Sequence, residues 1–115
     1  AGIMPQALDA FMAQIKGDKE SLRVLIGPAA RVCCYQVGAD FVHSVPEEMH
    51  TFIHQKNGQL FFDCVGYNKK LIQVYGLQDN AVYDTNLCTM HQQGFCSHRA
   101  SGGHPERQYT LVALK

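Results

Sequence analysis

A group of thiol and imidazole side chains near the C-terminal end of the sequence has the composition of a metal site. It comprises Cys88, His91, Cys96, His98 and His104. Thiolates and imidazoles are good zinc ligands, and four of these five side chains could surround one ion. The spacing differs from the common zinc-finger patterns. Three interpretations are therefore open: a zinc site made by this loop, a Cys88–Cys96 disulfide, and unligated side chains lining a site built elsewhere.

Two adjacent cysteines, Cys33 and Cys34, lie in a segment that we expect to be a strand, residues 31–37. Successive side chains of a strand point to opposite faces, so the two thiols would lie apart. The simpler interpretation is a pair of small, buried apolar side chains. The alternative is that one thiol is a nucleophile activated by a nearby histidine.

A histidine pair, His50 and His54, lies four residues apart in a predicted helix, beside Glu47. Two imidazoles at this helical spacing can chelate a metal ion, and they can also make a surface sensitive to pH. A solvated helix face is the simpler interpretation, because the apolar stripe of the helix lies on the opposite side.

Two arginines, Arg99 and Arg107, flank the Cys/His-rich loop. Guanidinium groups bind phosphate through paired hydrogen bonds, so these side chains are candidates for anion contacts. The simpler interpretation is that both arginine side chains are exposed to solvent and bind no ligand.

The bulk composition indicates one globular domain. The chain has 115 residues, 46% of them apolar, and its ten Lys and Arg balance ten Asp and Glu. The charges are scattered, which argues against a nucleic-acid-binding face. The sequence has no apolar stretch long enough for a transmembrane helix, and it has no signal-peptide pattern. Five cysteines and no glycosylation sequon favour a reducing compartment, hence a cytoplasmic location.

Apolar spacing predicts three helices, at residues 5–16, 44–55 and 67–75. The expected buried side chains are Leu8, Phe11, Met12 and Ile15 in the first helix, Met49, Phe52 and Ile53 in the second, and Leu71 and Val74 in the third. Ser44 with Glu47 has the pattern of a capping box, and Asn57–Gly58 that of a helix end. The segment 67–75 could instead pair with residues 59–65 as a hairpin.

Strands are expected at residues 22–26, 31–37, 59–65, 81–84 and 108–114. Residues 85–105 have no period, and so long a loop in a compact domain is usually functional or disordered. The predicted fold class is α+β: a mixed sheet of about four or five strands with helices packed against it.

Several short blocks, in order along most of the chain, resemble the C-terminal half of the YfiH/laccase-domain family. They are the run Gly-Pro-Ala-Ala-Arg-Val-Cys-Cys-Tyr-Gln-Val-Gly at 27–38, Phe62-Asp63, Asn68, Leu87-Cys88-Thr89, Phe95-Cys96-Ser97-His98-Arg99, Gly102-Gly103 and Arg107. The opening Ala1-Gly2-Ile3 also looks like the residues directly after the family's His-Ala-Gly-Trp segment. The resemblance implies that residues 1–115 form a single α+β domain that is the C-terminal part of a larger YfiH-like domain.

This resemblance also implies an activity. The family was first described as copper-dependent polyphenol oxidases, and its members are associated with purine nucleoside phosphorolysis and adenosine deamination. The implied cofactor is zinc, held by two His and one Cys that lie upstream of Ala1, outside this chain. The implied partners are a nucleoside, phosphate and a companion N-terminal polypeptide. Cys88, Arg99 and Arg107 are then the candidate binding residues, while no catalytic residue or metal ligand is assigned.

The leading hypothesis is therefore the C-terminal part of a YfiH-like purine nucleoside enzyme. One alternative is a non-enzymatic binding module that uses the loop 85–105. The other is a structural zinc domain whose metal is held by that loop.

Overall fold

The computed structural model describes residues 3–15 and 17–90. The helices are α1 (Ile3–Gln14), α2 (Ala39–Ser44) and α3 (Cys64–Tyr75), with 3-10 helices at Lys19–Ser21, Glu47–Phe52 and Asp79–Ala81. The strands are β1 (Val24–Ile26), β2 (Gln36–Val37), β3 (Ile53–Lys56), β4 (Gln59–Phe62) and β5 (Val82–Asp84). Within these ranges, every helix is too short or too polar to cross a membrane.

The described strands form two sheets. β1 pairs with β5 in parallel, and β2, β4 and β3 form an antiparallel sheet in that order. The α+β class is therefore confirmed, with five described strands divided between a two-stranded and a three-stranded sheet. The strand predicted at 108–114 lies outside the described residues.

The helix predicted at 44–55 is wrong. Val45 is extended, as the residue before a proline usually is, and a 3-10 helix follows at Glu47–Phe52. The chain then enters β3, which pairs with β4 through a tight turn at Asn57 and Gly58, with φ of 53° and 76°. Asn-Gly is the typical hairpin turn, and here it connects two strands rather than ending a helix.

The side chains of this segment that were expected to face inward are nevertheless buried or half-buried. Met49 is buried and Phe52 and Ile53 are half-buried, while His50 and His54 are exposed. The apolar spacing thus identified the inward side chains but not the backbone that presents them.

Helix α3 begins three residues earlier than predicted. Asp63 directly follows β4 and caps the helix, because its Oδ1 accepts a hydrogen bond from the amide of Gly66 at 2.9 Å. Cys64 is consequently helical rather than part of a strand. The helical interpretation of 67–75 is confirmed, but Val74 is 72% exposed, whereas Ile72 is 1% exposed.

Two apolar clusters make the core, and α3 contributes to both. One cluster joins α1 to the C-terminal half of α3 and contains Leu8, Leu22, Ile72, Leu77 and Ala81. The other lies between α3 and the three-stranded sheet and contains Val37, Met49, Phe62 and Tyr67. Helix α3 therefore holds the two sheets in one packed unit. Helix α1 is confirmed close to its predicted bounds, although its Phe11 is 54% exposed.

Candidate functional site

Three cysteines from two distant segments meet at one point. The sulfur of Cys33 lies 3.3 Å from that of Cys34 and 3.8 Å from that of Cys88. All three Sγ atoms lie within 4.8 Å of one another. We call Cys33, Cys34 and Cys88 the thiol cluster.

The first two thiols are brought together by a turn, so the strand predicted at 31–37 is wrong over residues 31–35. The carbonyl oxygen of Arg31 accepts hydrogen bonds from the amides of Cys34 and Tyr35, both at 2.9 Å. β2 begins only at Gln36. In a turn, adjacent side chains can lie side by side, which explains why the two thiols are not on opposite faces.

The third thiol is positioned by an extension of the parallel pairing between β1 and β5. Beyond those strands, Ala29 forms an isolated parallel bridge with Cys88. The amide of Ala29 donates to the carbonyl of Leu87, and the amide of Thr89 donates to the carbonyl of Ala29, both at 3.1 Å. These backbone bonds fix Cys88 beside the turn that carries the other two thiols.

An ion-pair network locks the same two segments together. The guanidinium of Arg31 donates to both carboxylate oxygens of Asp84, at 2.8 and 2.7 Å, and its Nε donates to the carbonyl of Leu87 at 3.1 Å. The ammonium of Lys69 lies 2.8 Å from Oδ2 of the same carboxylate, the oxygen that also accepts from Nη1 of Arg31. The hydrogen bonds from Arg31 are the main reason that the pKa of Asp84 lies far below its ordinary value.

Accessibility differs among the three thiols. Cys33 is exposed, Cys34 is half-buried and Cys88 is 5% exposed. Hydrogen bonding to Cys33, followed by burial and hydrogen bonding to Cys88, raises the pKa of Cys34 to about 12. With no cation bound, this raised pKa argues against Cys34 acting as an activated nucleophile.

A surface cavity of about 580 Å³ opens beside the exposed member of the cluster. Its lining residues are Val32, Cys33, His54, Gln55, Lys56, Phe61 and Asp63. A small solute can therefore reach the thiol cluster from the Cys33 side.

The predicted site residues divide into those that the structure describes and those that it does not. Cys88 is described, and it lies in the thiol cluster. Arg99 and Arg107 lie outside the described residues, and so do His91, Cys96, His98 and His104. The zinc site and the Cys88–Cys96 disulfide considered for the loop are thus not tested.

The histidine pair does not form the chelate considered above. His50 lies in a 3-10 helix and His54 in β3, so the α-helical spacing on which that interpretation depended is absent. The Nε2 atom of His50 instead lies 2.9 Å from the carbonyl oxygen of Val42.

Sequence reasoning missed the thiol cluster itself. It singled out the Cys-Cys pair and Cys88, but it assigned them to separate features. The three cysteines can be recognised as one group only if the segments at 24–29 and 82–88 are known to pair in parallel. Such pairing depends on tertiary packing and has no local sequence signature.

Comparison with known proteins identifies the family to which this chain belongs. The profile of the family described as multi-copper polyphenol oxidoreductase laccase matches residues 1–115. The chain belongs to this family. A solved relative, the hypothetical protein YfiH of Bacillus licheniformis, superposes with a TM-score of 0.71 at 25% identity, over 89% of this chain and 40% of its own. The predicted family and its YfiH-type domain are therefore confirmed.

Three curated relatives of this chain carry the name purine nucleoside phosphorylase. The protein of Borreliella burgdorferi is 26% identical over 95 residues, which is 77% of this chain and 40% of that protein. The protein of Xylella fastidiosa is 28% identical over 103 residues, covering 85% and 40%. The protein of Aquifex aeolicus is 27% identical over 113 residues, covering 98% and 50%. This chain thus spans between 40% and 50% of the length of these relatives.

The family description implies a metal, and the donor set of the thiol cluster fits a soft one. Three thiols are suitable ligands for zinc or cuprous copper and poor ligands for magnesium or calcium. The set differs from the two His and one Cys that the resemblance implies upstream of Ala1. The thiol cluster is therefore a separate candidate site.

Proposed function

We propose that this chain is the C-terminal part of a purine nucleoside phosphorylase. The observation that carries this proposal is the family match over residues 1–115, together with three relatives named purine nucleoside phosphorylase. In phosphorolysis, phosphate displaces the purine base at the anomeric carbon of the sugar. Zinc held by ligands outside this chain would supply Lewis acidity when bound.

One feature of the fold supports the view that further polypeptide completes the domain. β1 and β5 form a parallel pair, and parallel sheets normally have both faces covered. Leu25 and Tyr83 are partners across this pair and therefore share a face, yet they are 48% and 68% exposed. We propose that a companion N-terminal polypeptide covers this face.

Within the complete enzyme, Arg99 and Arg107 are the proposed phosphate contacts. Each guanidinium would hold the attacking phosphate through paired, charge-assisted hydrogen bonds. Cys88 is 5% exposed and fixed by the bridge to Ala29. We propose Cys88 as the third binding residue, beside the two arginines.

The test uses the complete protein, this chain together with the upstream polypeptide. We expect release of free purine base from inosine or adenosine that depends on added phosphate. Arg99→Ala should raise the KM for phosphate about 10- to 100-fold, because each hydrogen bond to a charged group contributes about 1.5–3 kcal/mol. Arg23→Ala is the matched control, since Arg23 is exposed and donates to the backbone carbonyls of Glu20 and Leu22.

Two results would overturn the proposal. Base release without phosphate would indicate a hydrolase, and ammonia release without loss of the base would indicate a deaminase. Absence of turnover in the complete protein would favour the non-enzymatic binding module.

The companion polypeptide has its own test. Tyr83→Asp should weaken its association with this chain, while Gln73→Asp, an exposed change on α3, should not. Equal association of both variants would mean that the face carrying Leu25 and Tyr83 is not the contact.

A further inference from the structure

We propose that the thiol cluster binds one thiophilic cation, Zn²⁺ or Cu⁺, through Cys33, Cys34 and Cys88. This site is built entirely from described residues of this chain. It shares Cys88 with the loop-borne zinc site considered from the sequence but takes its other two ligands, Cys33 and Cys34, from a different segment. It also differs from the upstream ligand set that the resemblance implies.

The sulfur positions are close to those that a metal needs. Zinc–sulfur bonds of about 2.3 Å at tetrahedral angles put neighbouring sulfur atoms roughly 3.8 Å apart. The observed separation of Cys33 and Cys88 is 3.8 Å, and all three sulfurs lie within 4.8 Å of one another. Cys33 and Cys34, at 3.3 Å, need to separate slightly, and the exposed Cys33 side chain has room to rotate.

The protein holds the three ligands in place without the metal. Backbone hydrogen bonds to Arg31 form the turn that carries Cys34, and the bridge between Ala29 and Cys88 fixes the third ligand. The ion pair between Arg31 and Asp84 ties these two segments together. A site whose ligands are already ordered loses less conformational entropy on binding than one that must fold around the ion.

Charge also favours a cation at this point. Each thiolate that forms here repels its neighbours across less than 5 Å, and a bound cation reverses that repulsion. The nearby guanidinium of Arg31 does not take this role, because both of its terminal nitrogens are engaged by Asp84. The cation can enter from the cavity beside Cys33.

The donor set selects the class of ion. Sulfur ligands favour zinc and cuprous copper, whereas magnesium and calcium require oxygen ligands. Three protein ligands suit a trigonal cuprous ion, or a zinc ion with a fourth position open to another ligand. Separate binding measurements with Zn²⁺ and with Cu⁺ distinguish the two ions.

The test is metal binding by the full chain under reducing conditions, with Zn²⁺ in one arm and Cu⁺ in the other. A chromophoric chelator competes for the ion, and sulfur-to-metal charge-transfer absorption with Co²⁺ in place of Zn²⁺ reports on the ligands. Cys33→Ser is the principal variant, because Cys33 is exposed and its replacement should leave the fold intact. Cys64→Ser is the matched control, since Cys64 lies in α3 outside the cluster.

We expect one ion per chain and sulfur-to-metal absorption. Cys33→Ser should weaken binding at least roughly a hundredfold, more than the usual loss of an outer-shell partner, whereas Cys64→Ser should leave it unchanged. Circular dichroism confirms that each variant is folded. Tight binding by the Cys33→Ser chain, equal loss in Cys64→Ser, or loss in Cys96→Ser with retention in Cys33→Ser would overturn the proposal. Absence of binding by the reduced native chain would do the same.

Discussion

Replacement of Asp84 by Asn tests the network that holds the candidate site together. The native carboxylate accepts two hydrogen bonds from Arg31, one from Lys69 and one from the amide of Asn86. The side chains of Arg31 and Asp84 are only 13% and 10% exposed, so the substitution leaves a largely buried guanidinium without its counter-charge.

The expected cost can be worked out from these contacts. Removing one partner of a fully buried ion pair costs about 3–5 kcal/mol, and the small residual exposure of this pair lowers the figure. Lys69 is 45% exposed, so its ion pair adds less than about 1 kcal/mol. Asparagine keeps an oxygen that can still accept a hydrogen bond. We expect a loss of about 2–4 kcal/mol in the free energy of unfolding.

Urea denaturation at pH 7, followed by circular dichroism, measures this loss. Asp79→Asn is the control, because Asp79 is an exposed aspartate in a 3-10 helix and its replacement should change stability by less than about 0.5 kcal/mol. If the two variants unfold at the same urea concentration, the ion-pair network does not stabilise the fold and the reasoning is refuted.

Three further predictions concern stability. The folded-state pKa of Asp84 is depressed, so its ionised carboxylate contributes fully to the free energy of unfolding above the ordinary carboxyl pKa of about 4. This contribution is lost as the pH falls below about 4. The difference in unfolding free energy between the native chain and Asp84→Asn should therefore shrink in urea titrations below about pH 4. Ile72→Ala should cost about 2–5 kcal/mol and Val74→Ala less than about 1 kcal/mol, since these side chains are 1% and 72% exposed; equal values would contradict the packing of α3. Phe52→Ala should cost about 2–4 kcal/mol, because its ring packs edge-on against Tyr67, whereas loss of the exposed His50 ring should cost little; a larger effect at His50 would reverse this assignment.

The sequence predicted best those elements whose signals are local. Helix α1 has an apolar stripe, and α3 ends at Gly76, whose φ of 121° suits a glycine. The α+β class and the family could be predicted from such elements and from short motifs. The family resemblance rested on several short blocks in order along the chain, among them Cys-Cys-Tyr and Leu-Cys-Thr.

The errors arose where tertiary pairing decided the backbone. Residues 53–56 have a spacing compatible with a helix, yet they form β3 because the Asn57–Gly58 turn and β4 provide a strand partner. Residues 31–35 have the composition of a strand, but hydrogen bonds to the Arg31 carbonyl make them a turn. The thiol cluster depends on that turn and on a parallel bridge between Ala29 and Cys88, which lie far apart along the chain, so no local pattern could predict it.

The most direct test of the proposed function is the identity of the sugar product. The complete protein, incubated with inosine and inorganic phosphate, is followed by phosphorus NMR while the released base is quantified. The account predicts ribose 1-phosphate and hypoxanthine in equal amounts, with matching loss of phosphate. Free ribose with no phosphate consumed, or conversion of adenosine to inosine as the sole reaction, would contradict it.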